Sequence, residues 1–140
     1  MDEVKQVIII RKDLKMRKGK MIAQGAHAAM KVLLDRASVT KIAKDSKLWA
    51  EEWMWQLQLN EKEPIFNWLK GSFTKVVVGV DSLEELEEIE HKAMKMGILT
   101  SKILDAGRTE FHGQRTITAL AVGPEWSNKI DKITGGLKLL

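Results

Sequence analysis

Three short segments carry residue types that can act on a ligand together. From Arg11 to Lys20 the chain reads RKDLKMRKGK, six cations in ten residues with Asp13 the single acid. This run follows the apolar stretch Val7-Ile8-Ile9-Ile10 and leads into a helical pattern beginning near Gly19. A strand that ends in a basic, glycine-containing loop and feeds a helix is suited to anions. The first-turn N–H groups point at the ligand and the helix dipole adds partial positive charge. Lys12, Lys15, Arg17 and Lys18 add full charges, so the expected ligand is rich in phosphate. Lys20, Gln24 and His27 then fall at i, i+4 and i+7, on one helix face that starts at its positive end. A polar stripe is ordinary on a surface helix. A histidine flanked by alanines, as His27 is, more often holds a hydrogen-bond partner in place than acts as a base.

The second segment is Asp105-Ala106-Gly107-Arg108-Thr109, which follows an apolar run and so lies in a strand-end loop. Ligands of open α/β sheets collect at such ends, and Gly107 permits a positive φ or a close backbone approach. The ordinary explanation is a turn in which Asp105 caps backbone N–H groups. The third is Thr116, Thr118 and the exit Ala121-Val122-Gly123-Pro124, where threonines are first of all good strand formers. Other chemistries fit poorly. The chain has no cysteine, which excludes thiolate zinc sites and cysteine nucleophiles. His27, His91 and His112 show no pair at zinc spacing, and neither a phosphate-binding Walker loop nor a GxSxG elbow is present. His91 falls in an acidic stretch, and His112 lies beside Gly113 in a loop that can reach a ligand.

The elements that must position these residues follow from periodicity. Val4 to Ile10 is a β-branched strand buried on both faces. Gly19 to Arg36 is a helix with Ile22, Ala26, Met30, Leu33 and Leu34 as its sheet-facing stripe. Thr74 to Val80, Ile98 to Leu104 and Arg115 to Val122 are further strands, the last broken by Gly123-Pro124. Ser82 and Glu85 have capping-box spacing at the start of a helix with Leu83, Leu86, Ile89 and Ala93 inward, closed by Gly97. Trp126 to Lys132 is a last short helix. Residues 38–70 read as a Trp-rich helical insert. In it Leu48, Trp49 and Trp53 follow helical spacing, and Pro64 opens a second helix that Gly71 ends. The tryptophans there are explained first by packing, with a stacking platform or partner surface as the alternative. Strands alternating with helices imply an α/β fold in one domain, 1–140.

The formal net charge is +4, modest for 140 residues, so placement matters more than total. Cations gather between Arg11 and Lys20, while Glu84 to Glu90 forms an acidic block on another element. That pattern steers a polyanion to one face. No apolar run is long enough to span a bilayer, the beginning Met-Asp-Glu lacks a secretory pattern, and a cytoplasmic location is expected.

Jointly, RKDLKMRKGKMIAQGAHA (Arg11 to Ala28), DAGRT (Asp105 to Thr109), the TxxxVGP pattern (Thr118 to Pro124) and DKITGGLKLL (Asp131 to Leu140) resemble the type 2 peptidyl-tRNA hydrolase family. The motifs stand in the family's order. The region from Asp35 to Lys70 looks longer and richer in Trp than usual. The resemblance implies a three-layer α/β/α sandwich around a four-stranded mixed sheet. It implies metal- and cofactor-independent hydrolysis of the ester between a peptidyl group and the 3′ end of tRNA. Lys20, Asp105 and Thr109 match the family's proposed catalytic residues, with Gln24, His27 and Thr118 supporting. The expected tRNA-binding cations are Arg11, Lys12, Lys15, Arg17, Lys18 and Arg108. The expected partner is peptidyl-tRNA, with no membrane and a homodimer left open. The rival readings are a non-catalytic tRNA-binding module and a protein-interaction domain using the Trp-rich insert.

Overall fold

The β-branched run at the start of the chain becomes β1 (Val4–Arg11), an interior strand of a mixed four-stranded sheet. The computed structural model describes residues 3–42 and 50–140. After β1 come a single 3-10 turn (Lys12–Leu14) and α1 (Lys18–Arg36). The chain continues through β2 (Ser38–Lys41), β3 (Trp53–Gln56), α2 (Pro64–Lys70), β4 (Lys75–Val80), α3 (Leu83–Lys95), β5 (Thr100–Asp105), β6 (Thr116–Trp126) and α4 (Ser127–Thr134). The sheet order is β4-β1-β6-β5. β4 runs parallel to β1, and β6 runs antiparallel to both β1 and β5.

Alternation along the strands builds two cores. Val7 and Ile9 join Val78, Val80, Leu120 and Val122 against Leu86, Ile89 and Ala93 of α3 and Ile130 of α4. Ile8 and Ile10 join Ala119 and Ala121 on the other face, under Ala28 and Val32 of α1. This is the expected three-layer α/β arrangement. Small residues on both sides of the second interface let α1 lie close to the sheet. Ser82 Oγ accepts from the Glu85 N–H at 3.1 Å, so α3 starts where its capping residues placed it.

Three expectations are corrected. The buried stripe of α1 is Gln24, Ala28 and Val32, not the larger residues. Ile22, Met30 and Leu34 are exposed, because the close approach leaves room beneath the helix axis only for short side chains and one amide. Second, the segment beginning at Ser38 is not wholly helical. β2 and β3 pair antiparallel with Val39 opposite Trp55 and Lys41 opposite Trp53. β-branched and aromatic residues favour an extended chain, and that preference wins over the helical spacing assigned to Trp53. Leu48 and Trp49 lie outside the described residues. Pro64 does open α2, and the Gly71 N–H bonds back to Asn67 O. Third, β6 does not break at Gly123-Pro124. It runs on to Trp126, shifting register against β1 between Lys5 and Val7.

Candidate active site

Four elements meet at one end of the sheet: the C-terminal ends of β1 and β5, the start of β6 and the N-terminus of α1. The α1 end is electropositive by construction. Its first turn holds no acid, and its N-cap residue, Arg17, makes no side-chain cap. One turn in, the Lys20 ammonium donates to Asp105 Oδ1 at 2.9 Å and to Thr109 Oγ1 at 3.0 Å. Gln24, one turn further, donates from Nε2 to the same Asp105 Oδ1 at 3.2 Å. The Gly107 N–H donates to Asp105 Oδ2 at 2.9 Å. Residues 85 positions apart in the chain thus share one hydrogen-bonded cluster.

The DAGRT segment can turn this tightly because of Gly107. Its φ is +78°, and a Cβ there would sit 2.1 Å from Gln114 O. No side chain fits. The Gly113 N–H closes the loop onto Gly107 O at 2.9 Å, which fixes the direction of the N–H that Asp105 uses.

A bulge supplies the second support. Ile103 pairs with Ala119 and Leu104 with Ile117, so Thr118 is an extra residue in β6. A bulge breaks the strict alternation of side chains. Thr118 therefore faces α1 together with its neighbour Ala119, and its fully buried hydroxyl donates to Gln24 Oε1. Gln24, itself buried, is thus held at both ends of its amide, by Thr118 and by Asp105.

Electrostatically, Asp105 is a carboxylate and stays one. Burial works to raise its pKa, but the Lys20 hydrogen bond, the Gly107 N–H, the Lys20 charge and the Gln24 amide together outweigh that, holding it below the usual carboxylate range. The two side chains of the pair are only 13% and 15% exposed, so the site has a partly dry floor. Phe111 closes one side, with the Lys20 ammonium 5.5 Å from its ring centroid.

The remaining candidate residues divide by whether their charge is already used. Arg11 is turned inward: its Nη1 donates to Ile117 O at 2.9 Å and its Nη2 meets Asp13 at 2.6 Å. Lys12 lies across Gly79 of β4 and reaches Asp81 at 3.5 Å. Arg17 is well exposed beside Glu110, 3.4 Å away. Lys15, Lys18 and Arg108 are exposed, and none forms an ion pair among the described residues. His27 is exposed along α1 and lies in a shallow groove beside β5 rather than in the Lys20–Asp105 cluster. Glu110 and Phe111 stand out in the sequence only as a departure from the family's usual loop after DAGRT, without a role, and the bulge does not show there. An aromatic and an acid directly after DAGRT were the only visible signal, and strand register cannot be read from residue types.

The family model for peptidyl-tRNA hydrolase PTH2 matches residues 4–140. A protein of Methanocaldococcus jannaschii named peptidyl-tRNA hydrolase is 42% identical over 137 residues, covering 98% of this chain and 100% of the relative. Proteins of the same name from Sulfurisphaera tokodaii and Nanoarchaeum equitans are 40% and 41% identical over 136 residues, each covering 97% of this chain and 98% of the relative.

Proposed function

The chain belongs to the peptidyl-tRNA hydrolase PTH2 family, and from that premise we propose that the Lys20–Asp105–Thr109 cluster hydrolyses the ester joining a peptidyl group to the 3′ end of tRNA. The observation that carries this is the Lys20 ammonium held 2.9 Å from Asp105 and 3.0 Å from Thr109, at the end of a helix whose first turn holds no acid. Each group keeps a hydrogen-bonding position free for the reaction. An ammonium has three donors. Two are spent on Asp105 and Thr109, and the third is free for the oxyanion that forms when water adds to the ester carbonyl. A carboxylate has about four acceptor positions. Lys20 and Gln24 take those of Oδ1 and Gly107 takes one on Oδ2, leaving one on Oδ2 to receive an O–H of the attacking water. Thr109 Oγ1 accepts from Lys20, so its own proton can be donated to the water or the oxyanion.

In the reaction water adds to the carbonyl carbon, the bond from that carbon to the tRNA oxygen breaks, and the proton released by water ends on the departing oxygen. Asp105 orients rather than strongly deprotonates, because a carboxylate held below its ordinary pKa is a weak base. Lys15, Arg17, Lys18 and Arg108 hold phosphates, contacts that carry no sequence information and so suit many tRNAs. Every group named comes from one copy of the chain. A cytoplasmic location belongs to the same reading. Among the described residues, no helix is long and apolar enough to cross a membrane.

The test is turnover of a labelled peptidyl-tRNA by purified Lys20→Ala, Asp105→Ala and Asp105→Asn. Each is expected to lose roughly 10²- to 10³-fold in kcat, the size of one electrostatic contact to a transition state, with a native circular dichroism spectrum. Near-normal turnover by the Lys20 or Asp105 variants rejects the assignment.

A further inference from the structure

We infer that the groove between α1 and the outer edge of β5 receives the peptide portion of the substrate as an added strand. This rests on the hydrolase reading above and extends it from the ester to the chain the ester carries. Among the described residues, β5 is a terminal strand of the sheet, paired with β6 on one side alone. Its last residue is Asp105. The groove beside it is bounded by His27, Met30, Lys31 and Leu34 of α1 and by residues 102–104 of β5, with a volume of about 420 Å³; the Lys31 ammonium is held by Asp35 at 2.8 Å. Lys102 sends its ammonium 3.2 Å to Glu90 of α3, on the opposite face of the sheet, so what it offers the groove is main chain. An uncovered strand edge is a template for pairing with another extended chain, and proteins normally blunt it. Here no described residue pairs with it where it leads away from the hydrolytic carboxylate.

Continuity with the site fixes the occupant. Gln24 touches Asp105 and His27 lies one turn on along the same helix. A peptide whose C-terminal carbonyl sits at Lys20 and Asp105 must leave by some path, and one lining residue of this groove, Leu104, directly precedes Asp105. From Gln24 to Leu34 is roughly 15 Å of helix at 1.5 Å per residue, enough to flank about four residues of extended chain. Pairing through the main chain suits an enzyme whose substrates share a backbone and differ in side chains. Met30 and Leu34 are 58% and 44% exposed and give apolar contact without selecting a particular residue.

The experiment compares three substrates on one tRNA: an acetylated single aminoacyl ester, a pentaalanyl ester, and a pentapeptidyl ester whose upstream residues are N-methylglycine. The pentaalanyl ester should show kcat/KM about tenfold above the acetylated one, the sum of a few net main-chain hydrogen bonds. The N-methylated tail, lacking donors, should lose that gain. Met30→Glu and Leu34→Glu, on the exposed side of α1, should reduce the gain while leaving turnover of the acetylated ester unchanged. Equal kcat/KM for short and long esters, a gain kept by the N-methylated tail, or a gain unaffected by both variants overturns the groove assignment alone. No turnover of any ester overturns the hydrolase reading and the groove with it.

Discussion

Asp105 accepts three hydrogen bonds, and their balance against burial determines how the site responds to pH. Because its folded-state pKa lies below the ordinary value of 3.8, the carboxylate is fully ionised throughout the neutral range. Activity that needs the carboxylate should therefore show no acid limb between about pH 5 and 8, and should fall only as pH drops below the ordinary carboxylate range. The stability linkage has the same sign. The contribution is present above the unfolded pKa and is lost as pH falls through the lower folded one. A pH profile of kcat/KM measures this, and a limb centred above pH 5 would contradict it. The sequence showed the residue types of this cluster and even the shared face of Lys20 and Gln24. It did not show that the DAGRT turn faces that helix, since no local pattern encodes contact across 85 positions. Thr118 was legible only through the family motif, because its inward direction comes from a bulge. His27 shared the expected helix face and lines the groove beside β5.

At the level of elements, the tryptophans divide by what the sheet can cover. Trp68 on α2 is 4% exposed and donates from Nε1 to Thr74 O at 2.8 Å. Trp53 and Trp55 on the β2–β3 hairpin are 54% and 60% exposed. Trp68→Ala should cost about 3–5 kcal/mol, a buried aromatic lost with its hydrogen bond, and lower Tm by on the order of 10 °C for a chain this size. Trp55→Ala should stay within about 0.5 kcal/mol of the parent, as exposed substitutions do. Calorimetry of the two variants decides it, and a large loss for Trp55→Ala would mean that the hairpin is packed in solution. The same contrast explains which elements were legible. β1, β4, β5 and β6 carry continuous or alternating apolar runs because the sheet is sandwiched between layers. β2 and β3 are exposed at every position, so burial imposes no period on them and helical spacing could pass for structure. The α1 stripe was misread for a related reason. Periodicity identifies apolar residues, whereas close packing under this helix selects short ones.

On the scale of the molecule, charge is separated by the sheet. Glu84, Glu85, Glu87 and Glu88 stand exposed on α3, across the sheet from α1, and Lys15, Arg17 and Lys18 lie at the start of α1 and in the loop before it. A net charge of only +4 therefore conceals a molecule with two unlike faces. A polyanion approaching it is turned toward the end that holds Lys20 and Asp105, and the field that does this weakens with ionic strength. The cations of the basic run differ in what meets them. Arg11 and Lys12 belong to the basic run in the sequence, yet their charges are met by Asp13 and Asp81. Lys15 and Lys18 have no such partner among the described residues. Lys15→Gln and Lys18→Gln should each reduce the slope of log affinity for tRNA against log salt by roughly 0.7–0.9, one released counterion per lost phosphate contact. Lys12→Gln should change the slope less. Arg11→Gln should act through stability, because Ile117 O loses its donor at the strand end that carries Thr118. Filter binding over a salt series separates these outcomes. A slope unmoved by Lys15→Gln and Lys18→Gln, with weaker binding only in the Arg11 and Lys12 variants, would place the RNA along β4 instead of across the mouth of the site.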